Sequence, residues 1–266
     1  MLLATLQQKN IDPGAVDYIF LTHIHLDHAG GAGTLLQSLP NAKAVIHPRG
    51  APHMINPAFL IRGARSVYGK ERFADWYGEI LPVPEARVLV VEDDQVIAVG
   101  DRELRCFFTE GHARHHYCID DPAAKAVFTG DSFGVSYREL DTALGEFIFP
   151  TTSPIHFDPA EAHKSVDRIM ACRPDHLFLT HYSKIRASAR IAEDMHRGID
   201  DLAEIALAHT DDENRSEAIE RAMFSYFARR LRDQEYRGSD VQLHAALDFD
   251  VWLNTMGLEV WLDQRK

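Results

Sequence analysis

Residues 20–28 read FLTHIHLDH, and this stretch decides how the rest of the chain is interpreted. A largely apolar run, VDYIFLT at 16–22, leads directly into three histidines and an aspartate within the six positions 23–28. The run is short and rich in β-branched and aromatic residues, which is typical of a strand covered on both faces. The sequence therefore predicts a buried strand whose end carries side chains that can bind metal.

Three later segments have the same form, in which an apolar run is followed by a histidine or an aspartate. CFFTEG precedes His112, AVFTG precedes Asp131, and a second FLT precedes His181. Strands of one sheet that end on the same side place the following residues at a common edge, where α/β folds build their sites. The ligand-type residues that we expect at this edge are His23, His25, Asp27, His28, His112, Asp131 and His181.

The alternative interpretation of the first cluster is a solvated polar loop, and Asp27 and Asp131 are also typical turn or cap residues. The matching residues after three later strands favour ligands instead. Imidazole and carboxylate suit zinc, but the set is too large for one tetrahedral ion. Two ions about 3.5–4 Å apart would share it and hold a water whose pKa falls to about 7. The pattern therefore predicts a dinuclear site that supplies hydroxide at neutral pH.

The string THIHLDH at 22–28, followed by Gly111-His112, Gly130-Asp131 and Thr180-His181, resembles the THxHxDH…H…D…H signature of the metallo-beta-lactamase superfamily. The resemblance covers roughly residues 15–182. It implies an α+β fold, the four-layer αββα sandwich, and it implies which residues share a metal. The first ion would be bound by His23, His25 and His112, the second by Asp27, His28 and His181, and Asp131 would bridge them.

The same resemblance organises the chain into two parts. Residues 1–187 are predicted to form the metallo-beta-lactamase-like domain, in which strands that family members normally carry at the N-terminus are missing. Residues 188–266 have apolar positions at helical spacing and are predicted to form a helical extension. This extension is similar to those of glyoxalase II-like and quinolone-signal response relatives.

The remaining elements are predicted from local patterns. Runs between 83 and 131 predict an antiparallel sheet, and the aromatic segment 51–80 predicts a lid of short helices. Residues 132–157 predict a long loop, of the kind that is usually functional or disordered. Asp158 followed by Pro159 predicts a helix start. The last helix is expected to begin at Ser239 or Asp240 and to end near Gly257.

Composition limits the function classes. With 28 basic and 40 acidic side chains, the net charge of −12 disfavours nucleic acid and anionic membranes as partners. The chain has 3 cysteines, which form no CxxC pair, and it has no apolar run of about 18 residues. We expect a cytoplasmic protein that acts on a small-molecule substrate, with homo-oligomerisation left open.

These observations predict a dinuclear metal-dependent hydrolase in which a metal-bridging hydroxide attacks a carboxylic ester, lactone or thioester. Asp27 is the predicted catalytic residue, zinc the expected metal, and iron or manganese the alternatives. Aromatic candidates for the substrate pocket are Tyr137, Phe147 and Tyr182.

Two alternatives stay open at this stage, a phosphodiesterase and a metal-binding signalling or effector protein with little turnover. An iron oxidoreductase of the flavodiiron or persulfide dioxygenase type is disfavoured. His25 stands where the flavodiiron motif usually has glutamate, and the complete second-metal set argues against a mononuclear dioxygenase.

Overall fold

The strand that precedes the histidine cluster is β1, Tyr18–Leu21, in a computed structural model that describes residues 1–152, 155–181 and 183–265. The chain packs as two compact units. The first comprises Met1–Phe107 with His115–Tyr117, and the second comprises Phe108–Arg114 with Cys118–Lys266. The predicted domain boundary after residue 187 stays a prediction.

The first unit is built on a parallel sheet of three strands. β1 pairs with β2, Lys43–Ile46, and β2 pairs with β3, Val88–Val90. The run at 86–91 was expected in the antiparallel sheet, and that expectation is wrong. Helices occupy residues 51–77 between β2 and β3, and such a long connection allows a parallel return, which a short turn does not.

Helices of the first unit pack against this sheet. They are α1, Leu2–Gln8; α2, Leu26–Ala29; α3, Ala32–Ser38; α4, Ala51–Ile55; α5, Ala58–Tyr68; and α6, Lys70–Tyr77. Leu21, Leu36 and Ile46 belong to a core that joins β1, α3 and β2. Burying these apolar side chains stabilises the unit by about 1.5–3 kcal/mol for each side chain.

A hairpin of β4, Gln95–Val99, and β5, Arg102–Phe108, follows, and its strands are antiparallel as predicted.

The second unit begins as β5 ends and contains a mixed set of strands. β6, Tyr117–Asp121, is antiparallel to β7, Ala126–Gly130, and β7 is parallel to β8, His176–Leu179. β9, Ser183–Arg186, returns antiparallel to β8 and was not anticipated. Since β7 and β8 are parallel neighbours, their carboxyl ends lie at one edge, so Asp131 and His181 follow strands that end together.

Long helices complete the described part of the second unit. α7, Pro159–Ala171, begins at the predicted cap, where the Asp158 carboxylate accepts a hydrogen bond from the Glu161 amide at 3.2 Å. α8 is Ala189–Ala208, α9 is Arg215–Asp233 and α10 is Asp240–Gln264. The predicted end of the last helix near Gly257 is wrong. Buried Leu258, Trp261 and Leu262 continue the apolar face of α10, and their packing offsets the roughly 1 kcal/mol cost of the glycine.

Candidate metal centre

The turn after β1 gathers the histidines of the first unit. His23 is fully buried, and its ring centroid lies 4.5 Å from that of His25 and 4.0 Å from that of His28. His25 is the N-cap residue of α2, and its carbonyl oxygen accepts hydrogen bonds from the amides of His28 and Ala29. The backbone of His25 thus caps α2, and Asp27 and His28 lie in the first turn of this helix.

The separation of two imidazole nitrogens in this turn fits a shared metal ion. His23 Nε2 and His25 Nδ1 lie 3.1 Å apart, close to the roughly 3.3 Å expected for two nitrogens on one tetrahedral zinc. The Thr22 hydroxyl lies 3.2 Å from the other nitrogen of His23, Nδ1. Such a contact to the outer nitrogen fixes the orientation of a ligating ring.

Two further histidines of the first unit stand beside this cluster. The rings of His116 and His23 are stacked with centroids 4.9 Å apart, and His115 Nδ1 lies 3.5 Å from the backbone amide of Ile24. His116, which is not one of the predicted ligands, thus packs against a residue that is.

Helices α5 and α6 are the short helices expected in the aromatic segment 51–80, and the role of this segment as a lid stays a prediction. Leu26 of α2 packs in one apolar cluster with Phe73 and Ile80. The pKa values of Tyr68 and Tyr77 are raised, first by burial, and the Asp27 carboxylate raises both further. These two phenols therefore stay protonated near Asp27 and can donate hydrogen bonds. The aromatic content of 51–80 was the only sequence signal for them.

The remaining predicted ligands come together in the second unit. Asp131 directs one carboxylate oxygen, Oδ2, to His112 Nε2 at 3.5 Å and the other, Oδ1, to His181 Nε2 at 3.7 Å. Both separations exceed the usual 2.7–3.2 Å hydrogen bond and approach the roughly 3.4 Å between two ligands of one tetrahedral ion. The two oxygens of this carboxylate thus face two different imidazoles.

Glycines shape the backbone immediately before two of these residues. Gly111 has φ +107, and a Cβ built on it would lie 2.3 Å from the Ala162 amide nitrogen of α7. Gly130, the last residue of β7, has φ +51. Both conformations favour glycine, so the Gly-His and Gly-Asp pairs of the sequence reflect a structural requirement.

Helix α10 supports His112 through neighbouring threonines, a connection that the sequence analysis missed. The Thr151 hydroxyl lies 2.6 Å from His112 Nδ1. The next residue, Thr152, donates from its amide to Asn254 Oδ1 at 2.6 Å and from its hydroxyl to the Asn254 carbonyl oxygen at 2.8 Å. No local pattern joins residues so distant in the sequence, and therefore no signal could have revealed the contact.

Helix α10 also carries Asp250, a carboxylate that interacts electrostatically with Asp131 and His181. The Tyr137 hydroxyl donates to Asp250 Oδ2 at 2.6 Å. Burial raises the pKa of Asp250 to about 6, opposed by the Tyr137 hydrogen bond and by His181. Of the aromatic pocket candidates, Phe147 is instead a core residue that packs against Phe149 and Phe227, and Tyr182 lies outside the described residues.

The sequence matches a known family along most of its length. The metallo-beta-lactamase superfamily matches residues 1–181. The chain belongs to this superfamily. Its predicted ligands are histidines and aspartates, which bind divalent metal ions. Within each unit, the distances between the donor atoms fit a bound ion. Within the described ranges, the helices do not combine the length and apolar character needed to cross a membrane.

Two curated relatives illustrate the range of the family. A metallo-beta-lactamase fold-containing protein of Sulfurisphaera tokodaii is 31% identical over 146 residues, which are 53% of this chain and 51% of the relative. A hydroxyacylglutathione hydrolase of Maricaulis maris is 29% identical over 179 residues, 67% of this chain and 52% of the relative. The chain thus spans about half the length of these relatives, and the family includes hydrolases.

Solved structures show the same fold. A metallo-beta-lactamase family protein from Thermus thermophilus superimposes with a TM-score of 0.67 at 17% identity, covering 99% of this chain and 80% of that one. The α+β metallo-beta-lactamase fold with additional C-terminal helices is therefore confirmed.

Proposed function

We propose that the chain is a dinuclear metal-dependent hydrolase that cleaves carboxylic esters, lactones or thioesters. The observation that carries the proposal is the ligand-like spacing of donor atoms in each unit of a superfamily member. His23 and His25 show it in the first unit, and Asp131 shows it with His112 and His181 in the second. The likeness to a hydroxyacylglutathione hydrolase supports an acyl group as the substrate.

The proposed ligand sets follow the superfamily pattern. His23, His25 and His112 would bind one ion, Asp27, His28 and His181 the other, and Asp131 would bridge the two. Bound divalent ions would lower the pKa of a coordinated water to about 7 and polarise the substrate carbonyl. Zinc suits these ligands, and iron and manganese are the alternatives to be tested.

The protein's own residues divide the remaining tasks. The Asp27 side chain is 44% exposed and lies 3.0 Å from His28 Nε2, so it can accept a proton from an attacking water next to another proposed ligand. Thr151 orients His112, and the protonated phenols of Tyr68 and Tyr77 lie near Asp27. The excess of acidic side chains favours such acyl substrates over phosphodiesters of nucleic acid.

A substrate panel with defined metal content tests the proposal. The metal-free chain is reconstituted separately with Zn2+, Fe2+ and Mn2+, and each form is assayed with thioesters, lactones, aryl esters and bis(p-nitrophenyl) phosphate. We expect turnover of one carbonyl class that depends on metal and is at least tenfold faster than turnover of the phosphodiester. Phosphodiester turnover as the fastest reaction would overturn the carbonyl assignment, and no turnover with any ion would favour a signalling role.

A further inference from the structure

Outside the candidate centre, two histidines face each other where α7 and α8 pack together. His163 Nδ1 of α7 lies 2.7 Å from His196 Nδ1 of α8. The rings are nearly parallel, with an interplanar angle of 14° and centroids 5.0 Å apart. Two lone pairs repel each other at this distance, so either a hydrogen or a cation lies between the two ring nitrogens.

The outer nitrogens of both rings face carboxylates. His163 Nε2 lies 2.9 Å from Asp200 Oδ1, and His196 Nε2 lies 3.2 Å from Asp167 Oδ1. An ionised carboxylate only accepts hydrogen bonds, so each Nε2 carries the hydrogen, and the Nδ1 of each neutral ring keeps its lone pair. Histidines that bind metal characteristically donate their second N–H to a carboxylate in this way.

We propose that His163 and His196 form a separate divalent-cation site that joins α7 to α8. The two Nδ1 atoms are the protein ligands, and water completes the coordination because the side chains are 28% and 30% exposed. Imidazole favours Zn2+, Ni2+ and Cu2+ among divalent ions. Opening the 2.7 Å nitrogen separation to about 3.3 Å suffices for a tetrahedral ion, and Asp167 and Asp200 balance its charge.

The position of this site gives the cation a structural role. From α7, the Ser165 hydroxyl donates to the Glu110 carbonyl oxygen at 2.6 Å, and Arg168 donates to the Phe108 carbonyl oxygen at 2.8 Å. From α8, Met195 and Ile199 line a small cavity together with His112. A cation that holds α7 against α8 would therefore stabilise the two helices that support the loop of His112.

Metal counting on the full chain tests the proposal. The wild type, His163→Gln and His196→Gln are dialysed to equilibrium against the same free Zn2+ concentrations, and bound zinc is measured by elemental analysis. His244→Gln is the matched control, because His244 is an exposed histidine that pairs with a single carboxylate, Asp248, at 2.8 Å. We expect the wild type and the control to bind one more ion per chain than either variant at the α7–α8 pair.

A variant of an outer carboxylate and a spectroscopic measurement complete the test. Asp200→Asn is expected to weaken the additional ion by about 10–100-fold. Long-range 1H–15N spectra of the wild type should show the Nδ1 resonances of His163 and His196 shifting when Zn2+ is added. Equal zinc content in the wild type and both histidine variants, or Nδ1 resonances that respond to pH but not to Zn2+, would overturn the proposal in favour of a shared proton.

Discussion

The two groups of candidate ligands are built in opposite ways. In the first unit, His23 and His25 lie in the turn between β1 and α2, His28 lies in α2, and the local backbone fixes their spacing. In the second unit, the ligands follow separate strands, and His112 is oriented by Thr151, whose neighbour Thr152 binds Asn254 across 102 positions of sequence. We infer that the first group depends on local geometry and the second on the packing of α10.

The largest expected effect concerns Asp27, which is proposed to take part in the chemical step and not only to support the site. Asp27→Ala removes the carboxylate that is proposed to accept the proton of the attacking water and to bind metal. We expect kcat on the best panel substrate to fall by about 100–10,000-fold, the range that general acid–base groups contribute. Steady-state kinetics with saturating metal measures the change.

The control for Asp27 is Asp101→Asn, which alters an exposed aspartate in the β4–β5 turn of the same unit. We expect this variant to retain the wild-type kcat. If Asp27→Ala keeps more than a tenth of the wild-type kcat, the proposed role of Asp27 in catalysis is wrong.

The next expected effect is a loss of stability of the first unit at acidic pH, and it concerns His47. His47 is 3% exposed, and burial and Arg49 lower its pKa from 6.5 to about 4, so the folded state holds the ring neutral. A lowered histidine pKa contributes stability that is fully present above pH 6.5 and is lost as the pH falls through 4. The loss reaches about 3 kcal/mol at most.

The variant His47→Asn checks this expectation, because an asparagine oxygen can still accept the Arg49 amide hydrogen bond that His47 Nδ1 accepts at 3.0 Å. Urea unfolding should show the wild type losing stability between pH 6.5 and pH 4 relative to the variant. His244→Asn, at an exposed histidine, should keep the wild-type pH profile. Parallel profiles for the wild type and His47→Asn would contradict the buried neutral ring.

The second unit should show the opposite pH dependence through Asp250. Its pKa is raised from 3.8 to about 6, so its contribution to stability is fully present below pH 3.8 and is lost as the pH rises through 6. We expect metal-free Asp250→Asn to be more stable than the metal-free wild type at pH 7, by up to about 3 kcal/mol, and equally stable at low pH. Tyr137 can still donate to the asparagine oxygen.

Asp248→Asn is the matched control for Asp250, since it lies on the same helix in an exposed pair with His244. Surface ion pairs contribute about 0–1 kcal/mol, so this variant should change little. If the difference in stability between the wild type and Asp250→Asn does not change between pH 4 and pH 7, the pKa of the Asp250 carboxyl is not raised in the folded state.

The sequence predicts the first region better than the second for a physical reason. The motif at 22–28 contains its own strand end, cap and ligands, and the predicted β1 and the helices that follow it are found. The start of α7 could be predicted equally well, because the Asp158 cap is a local interaction. The superfamily fold follows from the same motif, and it is confirmed.

Features that depend on contacts between distant segments were missed. β3 joins a parallel sheet because of the helices that precede it, and α10 passes Gly257 because buried side chains beyond it continue the packing. The support of His112 by Thr151, the approach of Asp250 to Tyr137 and the paired His163 and His196 all require the folded chain. Local patterns carry no record of such contacts.

The smallest expected effect tests the support of His112 directly. Thr151→Val preserves the shape of the side chain but removes the hydroxyl that lies 2.6 Å from His112 Nδ1. Loss of such an outer contact typically weakens metal binding by about 10–100-fold, so we expect that decrease in zinc affinity in competition with a chelator. Thr151→Ser keeps the hydroxyl and should bind zinc like the wild type. If both variants bind zinc with unchanged affinity, the second region does not need its long-range support, and the contrast between the two ligand groups fails.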